Sequence, residues 1–178
     1  MKAAHLFLAV VLASCAASIP YSTEYPLTPS LFRSRDGAFS GRIPAGWFSS
    51  TEDTLAPALT AWLIREDYSA TLTIRELRLD RLSDDRVTDN GLTLLASLNA
   101  AFEGHTAKLR EVKEYAIGGK KFCGYEFGPS ESPGRAVVFA AGAKYYSCTA
   151  QRVKGTWSKA DYNMLFSAQE TVLRSITW

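Results

Sequence analysis

The chain has 178 residues, a formal net charge of +2, and a hydrophobic fraction of 47%. This length suits one domain of about 100–200 residues, and the apolar content is typical of a chain that buries a core. The near-neutral charge gives no electrostatic case for nucleic-acid binding, which needs a clustered basic surface.

The first residues have the order of a secretion signal. Lys2 supplies a positive start, Leu6 to Leu12 form an unbroken apolar run, and the small residues Ala13 and Ser14 follow. A positive start, an apolar stretch and a small-residue cleavage site predict export. The apolar run is too short for a membrane-spanning helix, which needs about 20 apolar residues.

The four residues Leu12-Ala13-Ser14-Cys15 resemble the lipobox of bacterial lipoproteins. The resemblance implies a signal peptide over residues 1–14 and a mature chain whose Cys15 carries lipid and anchors it to a membrane. An Asp after the cysteine tends to retain such proteins in the inner membrane. Because Ala16 follows the cysteine here, we expect the protein to lie in the cell envelope, anchored to the outer membrane and facing the periplasm. The alternative is an ordinary secretion signal with a chance cysteine.

Residues 15–31 are interpreted as a tether, and residues 32–178 as a single domain. Pro20, Pro26 and Pro29 lie among Ser, Thr and Tyr residues with little apolar periodicity. Proline favours extended, semi-rigid geometry. We therefore expect order to begin near Phe32.

The domain pattern predicts strands first, then a helix, then more strands and a closing helix. Strands are predicted over 38–43, 59–64, 70–77, 109–117, 121–128, 135–141 and 144–152. The first helix is predicted from helical spacing of Leu94, Leu95, Leu98, Ala101 and Phe102, with Asp89 or Asn90 as cap and an end at Gly104. The second helix is predicted from Ser158, where Asp161 gives a capping-box spacing. Its predicted buried positions are Leu165, Ala168 or Gln169, Val172, Leu173 and Ile176.

This order predicts an α+β fold in which helices flank an antiparallel β-sheet. If the last three strands are sequential neighbours, Cys123 and Cys148 lie on the outer two of them. Two strand spacings amount to about 9.6 Å, which exceeds the separation of about 7 Å that a disulfide tolerates. We therefore expect two buried free thiols.

The domain resembles the PsbP/Mog superfamily, which includes the bacterial lipoprotein DcrB. The resemblance is carried by Phe39-Ser40-Gly41-Arg42-Ile43-Pro44-Ala45-Gly46-Trp47, by the Ile117-Gly118-Gly119 turn, and by Leu173-Arg174-Ser175 in the closing helix. It spans residues 36–178 and implies an α/β/α sandwich. Members of the superfamily act as binding or assembly factors for unrelated partners, so the resemblance names no partner.

The sequence offers no catalytic or metal-binding motif. His105 is the one histidine of the mature chain and is predicted to lie exposed in a loop. A structural zinc site needs four Cys or His ligands, whereas His105, Cys123 and Cys148 are three. Segment 80–89 lacks the spacing of an EF-hand and is predicted to be an exposed charged loop. No cofactor is expected.

These observations favour a non-catalytic, membrane-anchored binding or assembly module for another envelope protein. The alternative is a small-ligand or lipid-binding protein that uses an aromatic pocket between sheet and helix. Its tentative binding surface is Trp47, Trp62, Tyr125 and Tyr145, although aromatic residues in strands more often belong to the core. An enzyme without a familiar motif, using Asp84, Asp85 or His105, is the third hypothesis.

Overall fold

The computed structural model describes residues 24–50, 58–77, 91–105, 112–117 and 119–178. Nine strands and two helices lie in these ranges. The strands are β1 (Leu27–Arg33), β2 (Ser40–Pro44), β3 (Trp47–Ser49), β4 (Leu59–Arg65), β5 (Ala70–Glu76), β6 (Lys113–Ile117), β7 (Lys120–Phe127), β8 (Gly134–Ala141) and β9 (Lys144–Arg152). The helices are α1 (Gly91–Phe102) and α2 (Lys159–Ser175).

Seven strands form one antiparallel sheet in the order β3-β4-β5-β9-β8-β7-β6, and β1 pairs with β2 separately. Strand β5 pairs with β9, and this pairing joins the strands that precede α1 in sequence (β3, β4 and β5) to those that follow it (β6 to β9). The predicted α+β fold with an antiparallel sheet and two helices is confirmed. Neither helix in the described ranges is long and apolar enough to cross a membrane.

The two helices lie on opposite faces of the sheet. Side chains of a strand alternate between its faces, and β8 shows this directly. Val137 belongs to the core cluster beneath α2, whereas its neighbour Val138 belongs to the cluster beneath α1. The chain is therefore an α/β/α sandwich with two separate hydrophobic cores.

Helix α2 is fixed at its start and along its inner face. Ser158 Oγ accepts from the Asp161 N–H, and the Asp161 carboxylate accepts from the Ser158 N–H, which is the predicted capping box. The predicted positions Leu165, Ala168, Gln169, Val172, Leu173 and Ile176 are all buried. This helix is confirmed in both its start and its buried face.

A polar group lies inside the core beneath α2. Arg135 of β8 is 6% exposed, and its Nε donates to Gln169 Oε1 at 2.5 Å. Its guanidinium also donates to the Phe166 carbonyl at 2.5 Å, and Gln169 Nε2 donates to the Cys148 carbonyl at 2.8 Å. These bonds satisfy groups whose burial would otherwise be costly, and they tie α2 to β8 and β9.

The strand order confirms the prediction for the two cysteines. Cys123 on β7 and Cys148 on β9 are separated by β8, and both are buried and free. Cys123 pairs with Val138 and Cys148 with Val137, so the two thiols also face opposite sides of the sheet. Burial raises the pKa of the Cys148 thiol to about 12.

The predicted tether is too long. Leu27–Arg33 is a strand, and the Tyr25 N–H already donates to Thr171 Oγ1 of α2 at 3.2 Å. The ring of Phe32 lies so close to Gly41 that a Cβ there would stand 2.7 Å from it. This close approach explains why position 41 is a glycine in the segment 39–47 that resembles the PsbP/Mog superfamily. The rest of the tether, including Cys15, lies outside the described residues.

The first helix is confirmed, but its buried face differs from the predicted one. The buried residues of α1 are Leu95, Ala96, Asn99 and Ala100. Leu94, Ala101 and Phe102, which the spacing placed together with Leu95 and Leu98, are exposed. The predicted cap at Asp89 or Asn90, the charged segment 80–89, and the first residues of the strand predicted over 109–117 lie outside the described residues.

Candidate functional site

A polar cleft lies beside the C-terminal end of α1, above the half of the sheet that α1 leaves uncovered. Helix α1 packs on β7 and β8, and the cleft of about 210 Å³ lies over β5 and β9. Its lining includes Ala58, Thr73, Arg75, Glu76, Leu77, Asn99, Glu103, His105, Phe127, Ser147, Thr149 and Gln151. The volume suits a small polar ligand or a side chain of a partner.

The polar lining follows from strand alternation. In β5, Leu72 and Ile74 face α2, so Thr73 and Arg75 face the cleft. In β9, Cys148 and Ala150 face α2, so residues 147, 149 and 151 face the cleft. Cross-strand pairing then places Thr73 opposite Thr149 and Arg75 opposite Ser147. On β5 and β9, the face of the sheet toward α2 is therefore apolar, and the opposite face is polar.

Asn99 makes hydrogen bonds at the base of the cleft. It is 8% exposed, and its Nδ2 donates to Tyr125 Oη at 2.8 Å and to Ser147 Oγ at 3.2 Å. Burial raises the pKa of Tyr125 to about 12, against the opposing effect of the Asn99 hydrogen bond. The phenol is therefore protonated at neutral pH and serves as a fixed hydrogen-bonding group.

His105 lies half-buried in the wall of the cleft. A helix C-terminal motif positions it: the Gly104 N–H donates to the Ala101 carbonyl and the His105 N–H to the Ala100 carbonyl, while Gly104 adopts φ +71°. This is the Schellman pattern, in which glycine tolerates the left-handed conformation. The predicted helix end at Gly104 is confirmed, but the prediction of an exposed loop histidine is wrong.

The imidazole of His105 stacks on Phe127 with ring centroids 3.9 Å apart and an interplanar angle of 7°. Burial lowers its pKa, with Glu103 acting in the opposite direction, so the ring is uncharged at neutral pH. Its Nδ1 is buried and has no hydrogen-bond partner. An unpaired buried polar atom costs about 1–3 kcal/mol, so this nitrogen lowers the stability of the cleft wall.

An ion pair stands at the mouth of the cleft. Arg75 Nη1 lies 3.6 Å from Glu103 Oε1, and both side chains are about half exposed. Such an exposed pair contributes little stability. It places both signs of charge at the entrance, where either group can turn to a polar ligand.

The cleft has a polar lining that is suited to hydrogen bonding. In the part of the chain that the structure describes, no hydroxyl or thiol bonds to His105 Nδ1 as a nucleophile would bond to its base. Across the same described ranges, no three His, Cys, Asp or Glu side chains are grouped to hold a metal ion. The lining offers hydrogen-bond donors and acceptors that neighbouring strands and a helix end hold in place.

The four aromatic residues predicted from sequence do not form one surface. Trp47 is buried on the α2 side, where its Nε1 lies 3.4 Å from Tyr25 Oη beside a cavity of about 40 Å³. Trp62, Tyr125 and Tyr145 lie on the α1 side. Trp62 is paired with Thr73, and its Nε1 is buried without a hydrogen-bond partner. Tyr125 joins the Asn99 network, and Tyr145 packs on the α1 core.

Sequence reasoning missed Arg75, Asn99 and Glu103. A signal for Asn99 was present, since it is the one polar residue on the inner face of α1, between Ala96 and Ala100. A buried amide on such a face needs partners, which predicts a polar group on the facing strand. Arg75 and Glu103 are ordinary charged residues in sequence, and only the tertiary structure brings them together.

Solved structures resemble most of this chain. Cyanobacterial PsbP (CyanoP) from Synechocystis sp. PCC 6803 is 17% identical, with 93% of this chain and 98% of that chain covered and a TM-score of 0.51. The Saccharomyces cerevisiae Ran-binding protein Mog1p is 9% identical, with 85% and 95% covered and a TM-score of 0.56. The fold is that of PsbP and Mog1.

Neither a protein-family profile nor a curated protein sequence matches the chain. At the identities found, the structural likeness establishes the PsbP/Mog-like fold alone. The expected resemblance in fold is confirmed, and function has to be argued from the site.

Proposed function

We propose that this chain is a lipid-anchored protein of the bacterial cell envelope whose PsbP/Mog-like domain is a non-catalytic binding or assembly module for another envelope protein. The observation that carries the binding role is the cleft beside α1. Its lining presents both signs of charge together with amide and hydroxyl groups, and no described residue forms a nucleophile–base pair with Nδ1 of His105. Binding, and not bond-making, is the chemistry that this arrangement supports.

The anchor is supported by the first 15 residues. The run Leu6 to Leu12 followed by Ala13, Ser14 and Cys15 has the order that lipoprotein processing requires. Lipid on Cys15 holds the domain at a membrane surface, since two or more acyl chains bind a bilayer stably. In Mog1p the same fold belongs to a Ran-binding protein, so the fold is compatible with a protein-binding role.

The anchor is tested by the intact mass of the protein extracted from membranes. We expect a mature chain that begins at Cys15 and carries acyl chains, and a Cys15→Ala variant that lacks them. A mature wild-type chain without acyl groups, or one that begins at another residue, would refute the lipoprotein assignment.

The binding role is tested by photocrosslinking from the cleft in intact cells. A benzophenone amino acid replaces Gln151, an exposed residue that lines the cleft. The matched control replaces Lys159, which is exposed at the start of α2. We expect an envelope protein captured from position 151 and not from position 159. Equal capture at both positions, or no capture at position 151, would count against a partner in the cleft.

A small polar ligand is the second candidate for the same cleft. The observation that favours it is the polar lining around His105 and the Asn99 network in a cleft of about 210 Å³. Native mass spectrometry of the purified protein should then show a bound small molecule that His105→Phe releases, because phenylalanine keeps the stacking on Phe127 and removes the nitrogen. An empty wild-type protein would eliminate this candidate.

A further inference from the structure

The outer face of α1 is apolar, and no part of the chain that the structure describes packs over it. Leu94 is 56% exposed and Phe102 is 86% exposed, and Leu98 lies halfway between them with its side chain partly exposed. Residues four apart stand above one another on a helix. The three side chains therefore form one apolar line, which we call the α1 outer face.

This face is unusual for a helix on a protein surface. From Gly91 to Phe102 the helix contains no charged residue. Its inner face is already occupied by the α1 core through Leu95, Ala96 and Ala100. A surface helix normally carries polar residues opposite its buried stripe, and a helix that is apolar all round is usually buried on both sides. The composition of α1 suits a helix with a second partner.

We propose that the α1 outer face is a docking surface for an apolar surface of a protein partner. The proposal rests on the proposed function, since it names the surface by which the binding module holds its partner. Protein interfaces combine an apolar centre with a polar rim. The face has such a rim: Thr93 donates to Glu114 near one end, and Glu103 pairs with Arg75 at the other.

The position of the chain's start distinguishes a protein partner from the bilayer. Tyr25 donates to Thr171 of α2, and Glu24 lies 3.6 Å from Arg174 of the same helix. The chain therefore enters the domain on the α2 side, on the sheet face opposite α1. The nine peptide steps from Cys15 to Glu24 span at most about 32 Å.

A helix–sheet–helix stack is itself about 30 Å thick, given helix diameters and layer spacings of about 10 Å. The α1 side would therefore reach the membrane that holds Cys15 only if the tether were almost fully extended, which favours an orientation with α1 turned away from the membrane. Helices that lie on membranes are also rich in Lys and Arg, whereas α1 has neither. Both observations favour a protein over a lipid surface.

The test uses photocrosslinking in intact cells from positions 94 and 102. Val153, which is 58% exposed and lies outside α1, is the matched control position. We expect a second protein captured from both α1 positions and not from position 153. A phospholipid adduct would overturn the proposal in favour of the membrane, and a crosslink to a second copy of this chain would overturn it in favour of self-association.

Capture alone does not establish the chemistry, so the captured protein is then purified and its Kd for this protein measured. Phe102→Asp should raise the Kd about tenfold or more, as expected for a central apolar anchor. Val153→Asp should leave the Kd unchanged. Because the contact is apolar, the wild-type Kd should change little between low and high salt, where charged contacts are screened. An unchanged Kd for Phe102→Asp would contradict the proposal.

The crosslinks also separate this inference from the proposed function. A partner captured from position 151 in the cleft, but not from positions 94 and 102, would reject the α1 outer face and leave the binding role standing. No protein captured from any of the three positions would reject both.

Discussion

Asp36 is the residue whose charge contributes most clearly to the fold. Its carboxylate accepts from Tyr146 Oη at 2.7 Å, from Lys144 Nζ at 2.9 Å and from the Ala38 N–H at 3.2 Å. Burial acts to raise its pKa, but these hydrogen bonds outweigh burial and hold the pKa well below the ordinary value. The ionised form therefore ties the loop after β1 to β9.

The pH dependence of stability follows from this shift. An Asp in an unfolded chain has a pKa of about 3.9, so the contribution of Asp36 is complete above that pH and is lost as the pH falls toward its lower folded value. Tyr146→Phe removes one donor, raises the folded pKa of Asp36, and should lower the free energy of unfolding at pH 7 by about 1–3 kcal/mol. The measurement is denaturant unfolding between pH 2 and pH 7.

We expect the difference between wild type and Tyr146→Phe to shrink as the pH approaches 2. Tyr145→Phe is the matched control, since Tyr145 lies on the other face of the sheet. A difference that stays constant over the whole pH range would show that Tyr146 acts through packing alone.

The buried Arg135 and Gln169 form a pair that a double-mutant cycle can test. Gln169→Leu removes the acceptor of Arg135 Nε and should cost about 2–4 kcal/mol of unfolding free energy, because a buried charge loses a hydrogen bond. Arg135→Met combined with Gln169→Leu should cost less than the sum of the single changes. Additive costs in urea unfolding would show that the two side chains act independently.

At the scale of elements, the prediction was most accurate where local chemistry decides the structure. The first residue and the buried face of helix α2 were both predicted correctly. Ser158 and Asp161 encode its cap, and the spacing of its apolar residues matches the buried stripe. Strand β1 was missed because Pro26 and Pro29 are typical of a tether. Pro29 is tolerated since β1 lies in a two-stranded pair whose register shifts between Leu27 and Leu31.

Helix α1 shows the limit of reasoning from periodicity. Its apolar residues surround the helix, so spacing alone does not say which of them face the sheet. The sheet resolves this: small side chains at Ala96 and Ala100 pack inward, leaving Leu94 and Phe102 outside. The cleft was likewise beyond prediction, because His105 meets Phe127 only through tertiary contact.

The strand order predicts how the thiols react. With β8 between them, Cys123 and Cys148 cannot bridge, and burial raises the pKa of both. A Cys15→Ala chain should therefore show two free thiols by thiol titration in denaturant and almost none in native buffer. A disulfide found in the native protein would contradict the order β9-β8-β7.

The chain enters the domain on one side of the sheet, and the two candidate contact surfaces lie on the other. The chain enters beside α2, while the cleft and the α1 outer face lie on the opposite face of the sheet. This arrangement suits a module that presents its binding side away from the membrane. Attachment then raises the local concentration of the domain near envelope partners, as tethering does in general.

The most direct measurement is crosslinking with mass spectrometry on intact cells that carry either the wild-type chain or Cys15→Ala. We predict an envelope partner crosslinked to residues around the cleft and α1 in the wild type, and its loss or strong reduction in Cys15→Ala at equal protein level. The same partner captured equally by both forms would contradict a role that depends on the lipid anchor. No partner in either form would contradict the binding module itself.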